Sequence, residues 1–183
     1  MTWKSKFSGT VLLAVLGAFL FSNASAQKLT IKKSATGRVS SAKENKEYRG
    51  NLSDDENQIY NLINDERQKK GLNELGWDEN LAKLARSYSR KMAKDSFFSH
   101  YDRDGNSIVE RVRDSNIKGW NKIGENLFYC EGYGDFDSLA MRGWMNSPDH
   151  RRNILDRQFT TTGIGIAQSR DGRIYITQVF IKK

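Results

Sequence analysis

The chain has 183 residues, 37% hydrophobic and 28% charged, with a formal net charge of +8 and one cysteine. A single cysteine excludes an intramolecular disulfide framework, so a domain in this chain must fold on its apolar core alone. The charge is lopsided: residues 27–52 carry seven Lys/Arg against Glu44 and Glu47, while 21 basic and 20 acidic residues share the rest after Leu52. A nucleic-acid reader carries its basic excess on the folded domain, so that class is set aside.

Residues 1–26 read as a secretory signal, with Lys4 and Lys6, an apolar run over 11–21, and Ala24, Ser25 and Ala26 in an A-x-A cleavage pattern. The apolar run is shorter than the roughly 20 residues that span a bilayer. Cleavage would leave an exported chain starting at Gln27, with no transmembrane helix; a retained anchor is the alternative. Residues 27–52 are rich in Ser, Lys, Gly and Asn without an apolar period, and are expected to form a disordered linker. Its positive charge suits contact with anionic envelope polymers or lipid head groups. A merely solvated linker is the plainer reading.

The domain is expected over 53–183. Ser53, followed by Asp54, Asp55 and Glu56, is a candidate helix cap; Ile59, Leu62 and Ile63 form the apolar stripe, and the helix should stop near Gly71. Asp78 caps the clearest helix, in which Leu81, Leu84, Ala85, Tyr88 and Met92 share one face. A polar turn, a short helix over 108–113, and a helix placing Phe136, Leu139, Ala140 and Gly143 on one side follow. Strands are expected over 123–129, 163–168 and 173–181, the last apolar on both faces and therefore covered on both. Helices outnumber strands and strands gather late, which predicts an α+β fold with a small sheet between helical layers.

Two segments carry candidate chemistry. In "NSPDHRRNIL", Ser147 and Pro148 suit a helix cap and first turn, and His150 follows about one turn in. There the helix dipole favours a neutral imidazole, able to bind a metal or accept a hydrogen bond. In "IGENLFYC", Glu125 lies within an apolar strand, on the side of Leu127 and Tyr129, and would need a histidine, arginine or metal partner if buried. Cys130 beside Phe128 and Tyr129 reads as a core thiol rather than a nucleophile. The chain lacks H-E-x-x-H, G-x-S-x-G, C-x-x-C and a phosphate-cradling glycine loop. Asp102, Asp104, Gly105 and Asn106 imitate a calcium loop, but Arg113 occupies its twelfth position, where a glutamate is needed, so a polar turn is expected.

Taken together, Asn64 and Arg67, "LGWDENL", "FSHYDRDG", "IGENL", "WMNSPDHRRNIL", "GIGIA" and "TQVF" resemble, in order and spacing, the bacterial form of the CAP superfamily, the SCP-like extracellular domains. The resemblance covers most of residues 54–183. It implies a three-layer α-β-α sandwich with a small central antiparallel sheet and a cleft. Eukaryotic-type members line that cleft with two histidines and two glutamates. His100 and Glu125 match one of each, whereas the second histidine falls on Tyr175 and the second glutamate on Ser147. Bacterial members carry S-P-x-H, which makes His150 the replacement nitrogen. The implied cleft is His100, Glu125 and His150, with Tyr175 and Gln178 as neighbours. Its two imidazoles and carboxylate could form a three-ligand zinc site with an open fourth position, or a hydrogen-bonded cluster that simply satisfies buried polarity. The functional expectation is a secreted, non-enzymatic binding module for an envelope polymer, lipid or protein. The alternative is a metal-dependent, peptidase-like hydrolase using the same cleft.

Overall fold

Asn51 opens helix α1 (Leu52–Lys69), its side chain accepting the N–H of Ser53 at 3.1 Å. The cap therefore lies two residues before the expected Ser53, a start that lets Leu52 pack on the core. The computed structural model describes residues 50–131 and 134–183; the expected signal and residues 27–49 of the expected linker lie outside the described residues. Past the end of α1, Gly71 turns the chain with φ +67°, a left-handed conformation natural to glycine.

A two-residue strand β1 (Gly76–Trp77) leads to α2 (Glu79–Asp95), which Asp78 caps by accepting the N–H groups of Asn80 and Leu81 at 2.9 and 3.2 Å. Helix α3 (Ile108–Asp114) starts with a reciprocal capping box between Ser107 and Glu110. Strand β2 (Lys122–Cys130) precedes α4 (Phe136–Asn146) and α5 (Pro148–Ile154), and β3 (Thr161–Gln168) and β4 (Ile174–Lys182) complete the sheet. Pro148 takes the first position of α5, but the Ser147 side chain makes no capping hydrogen bond. Ser147 also ends α4, and its N–H bonds back to the carbonyls of Gly143 and Trp144.

The strands run in the order β1-β3-β4-β2. The three long strands are antiparallel, as expected, yet β1 pairs with β3 in parallel, so the sheet is mixed. The intervening helices give the chain the long crossover that a parallel pair requires. On one face Ile59 and Ile63 of α1, Trp144 of α4 and Ile154 of α5 pack on Ile164, Ile176 and Phe180. On the other, Leu81, Ala85, Tyr88 and Met92 of α2 pack on Leu127, Tyr175, Val179 and Ile181. Helices thus cover both faces of a central sheet in an α+β fold. In α4 the buried residues are Phe136, Ala140 and Trp144, while Leu139, expected inside, is 44% exposed.

The "GIGIA" glycines set the distance between α2 and the sheet. A Cβ on Gly165 would lie 1.9 Å from the backbone nitrogen of Arg86, and one on Gly163 would lie 2.3 Å from that of Ala82. Only glycine lets the helix backbone settle this close to β3.

Candidate functional site

Strand β2 is an outer strand, and the candidate site forms along it. Glu125 points to the α2 side, where its side chain is only 2% exposed. Two partners hold it. His100, in the loop after α2, lies with Nδ1 at 2.7 Å from Oε1, and Arg111 of α3 donates from Nη2 to Oε2. An ionised carboxylate only accepts, so His100 donates from Nδ1, and Nε2 remains its other ring nitrogen. His100 is half exposed and Arg111 nearly buried, at 51% and 9%.

Arg111 is fixed from several sides. Nη1 donates to the carbonyls of His100 and Asn106 at 3.1 and 3.0 Å, and the guanidinium stacks 3.4 Å above the Tyr88 ring. Tyr88 in turn donates its hydroxyl to the Ser99 carbonyl, tightening the same loop. Burial pushes the Tyr88 phenol up to about 12, so it stays protonated.

His150 approaches from the opposite layer, on α5. Asn126 donates to its carbonyl at 3.2 Å, and Asn153 bridges the Asn126 side chain and the Glu125 carbonyl at 2.9 and 3.2 Å. Gly124 leaves room for this, since a Cβ there would meet the Phe159 ring at 2.9 Å and Asn153 at 3.2 Å. The two histidine rings face each other at 6.4 Å between centroids. Among the described residues the His150 ring has no hydrogen-bond partner. Burial, then the neighbouring His100, lowers its pKa and favours the neutral imidazole.

The structure brings His100, Glu125 and His150 together and places Tyr175 nearby, stacked on Tyr129 at 6.0 Å. Gln178 does not join them. It lies on the face of the sheet opposite Glu125 and Tyr175, fully buried, with Nε2 donating to Thr162. Strand alternation separates it from Tyr175 and Val179. Arg111, Asn126 and Asn153 carry no sequence signal of their own, although Asn126 lies within "IGENL" and Asn153 within "NSPDHRRNIL". Cys130 packs partly buried against the core, and burial raises its pKa, which disfavours a reactive thiolate.

Beside the cluster lies an apolar cavity of about 280 Å³, lined by Phe98, Leu127, Phe128, Tyr129, Gly143, Trp144, Ser147 and His150. Phe98 and Tyr129 are 45% and 47% exposed, with ring centroids 4.9 Å apart. Asp102, after His100, is spent on its own turn. It accepts the N–H groups of Asp104 and Asn106 and pairs with Lys91 at 3.0 Å. Burial works against its charge, but these bonds hold its pKa at about 2.

As arranged, these donors do not fit a three-ligand zinc site. Both Glu125 oxygens are engaged, one by a permanently charged guanidinium, and only two imidazole nitrogens are left to a metal. Among the described residues no group of three or more His, Cys, Asp and Glu side chains could hold a metal ion.

Helices on both faces of a mixed sheet, with a histidine–glutamate cleft at its outer strand, define the class of this domain. The chain belongs to the CAP family, the cysteine-rich secretory protein family, which it matches over residues 60–180. It is 35% identical over 128 residues to the uncharacterized membrane protein YlbC of Bacillus subtilis, covering 70% of this chain and 34% of that protein. It is 37% identical over 128 residues to the uncharacterized protein YkwD of the same organism, covering 70% and 47%. The chain therefore spans between a third and a half of the length of these relatives. Among solved structures, an extracellular SCP-domain protein of Bacillus anthracis superposes with a TM-score of 0.63 at 31% identity, over 72% of this chain and 41% of that one. An outer surface protein of Borrelia burgdorferi shares the fold, with a TM-score of 0.66 at 22% identity over 74% and 98%. No helix among the described residues is long and apolar enough to cross a membrane.

Proposed function

We propose that the protein is an exported binding module whose cleft engages a component of the cell envelope, and that it acts without catalysis. The observation that carries this reading is the apolar cavity beside the His–Glu cluster, with Phe98 and Tyr129 presented at its rim. At about 280 Å³ it falls just short of the roughly 300–1,000 Å³ of sites that engulf small molecules. Such a hollow suits one projecting group of a larger partner, with exposed aromatic rings extending the contact. Export is supported by the signal pattern of residues 1–26 and by relatives described as extracellular or outer-surface proteins. The metal-dependent hydrolase has less support, because it needs Glu125 free to bind a metal or take a proton, and both oxygens are engaged.

Co-sedimentation with isolated cell-wall sacculi and with phosphatidylglycerol vesicles tests the proposal. Wild-type protein is expected to sediment with one of them, and Phe98→Ala with Tyr129→Ala to weaken binding by at least about tenfold, or 1.4 kcal/mol. Sedimentation with neither, or equal binding by the double variant, would refute it. Release of soluble wall fragments by the protein would favour the hydrolase.

A further inference from the structure

We propose that Arg111 is the resident cation of the cleft: its guanidinium holds the charge position that a divalent metal would take, and it keeps the site metal-independent. The guanidinium is directly on the carboxylate, donating from Nη2 to Glu125 Oε2. Two carbonyl acceptors on Nη1 and the Tyr88 ring beneath leave it no second resting place near the cleft. Its Nε is buried without a partner, a cost tolerated only where the rest of the group is firmly held.

A metal ion placed among His100, Glu125 and His150 would sit against a positive charge that is itself buried beside Glu125, where repulsion is screened less than in open water. It would also find too few ligands. Glu125 Oε1 is occupied in orienting His100 through Nδ1, which leaves one nitrogen from each imidazole, whereas protein zinc sites use three or four protein ligands. The nearby acids offer no replacement: Asp102 and Asp104 both pair with Lys91. Arg111 thus pairs with Glu125 and leaves a pre-oriented surface whose free imidazole nitrogens can serve a ligand by hydrogen bonding.

Calorimetric zinc titration of the full chain tests this, using wild type, Arg111→Lys and Arg111→Met, with circular dichroism to verify folding. Wild type and Arg111→Lys are expected to take up no zinc at the cleft. Arg111→Met should take up one zinc per chain, and lose it when His100→Ala is added. A purely structural arginine would instead leave both variants equally unable to bind. If Arg111→Met folds poorly, recovery of its thermal transition by zinc supports the proposal, and failure of zinc to restore it counts against it. The proposal is overturned if wild type binds one zinc that His100→Ala or Glu125→Gln abolishes. It also falls if a folded Arg111→Met variant binds none.

Discussion

Glu125 and Arg111 are a pair in which each justifies the burial of the other. Two charges withdrawn from water cost several kcal/mol each unless they meet directly and fill their remaining hydrogen-bond positions. Here the second carboxylate oxygen is filled by His100 and the remaining guanidinium donors largely by backbone carbonyls. Removing one partner strands the other, so Glu125→Gln is expected to destabilise the fold by about 3 kcal/mol. Arg111→Met made in the Glu125→Gln background should cost less than in wild type, a coupling of about 1–3 kcal/mol. Urea unfolding of the four proteins measures it; additive single effects would mean the pair does not matter to stability. Glu125 was legible in the sequence because a carboxylate inside "IGENLFY" demands a partner. Arg111 was not, because "ERVRD" offers two arginines of equal appearance. Which face of α3 packs inward decides between them: Val112 is buried, Arg111 turns inward beside it and Arg113 is left exposed.

At the level of elements, the approach of α2 to β3 governs the packing of one whole layer. Gly163 and Gly165 remove the two side chains that would prop the helix away, and Ser89 uses the closeness to donate to the Gly165 carbonyl at 2.8 Å. Gly165→Ala would force a methyl group into helix backbone, which cannot rotate aside. It is expected to cost about 3 kcal/mol or more in guanidinium unfolding. Gly76→Ala, whose Cβ would lie 3.7 Å from its nearest neighbour, is the control and should change stability little. A comparable, small effect at both sites would mean that the layer relaxes freely. The long elements were legible because their periods are sustained: α2 keeps one apolar face from Leu81 to Met92, about three turns, and β4 alternates without a break between two buried faces. β1 was not, since two residues carry no alternation, and its parallel pairing depends wholly on partners in β3. Leu139 failed for a related reason, because α4 buries a narrow stripe through Phe136, Ala140 and Trp144 and leaves the next position outside.

At the scale of the molecule, polar staples bind the two layers that the apolar cores define. Arg67 of α1 donates to the carbonyls of Asn73, Ile154 and Asp156, tying the first helix to the segment that enters β3. Glu56, also on α1, passes the sheet to pair with Arg86 of α2 and accepts the N–H of Ile166 in β3. Both side chains are buried, so each staple depends on the surrounding core for its low dielectric, and the core depends on the staples to keep its layers in register. Such mutual dependence predicts one cooperative unit rather than separable layers. Every one of these contacts lies within the described residues 50–131 and 134–183. The chain is therefore expected to unfold in a single transition. Differential scanning calorimetry provides the check, and a calorimetric enthalpy well above the van't Hoff value would show that the layers melt apart.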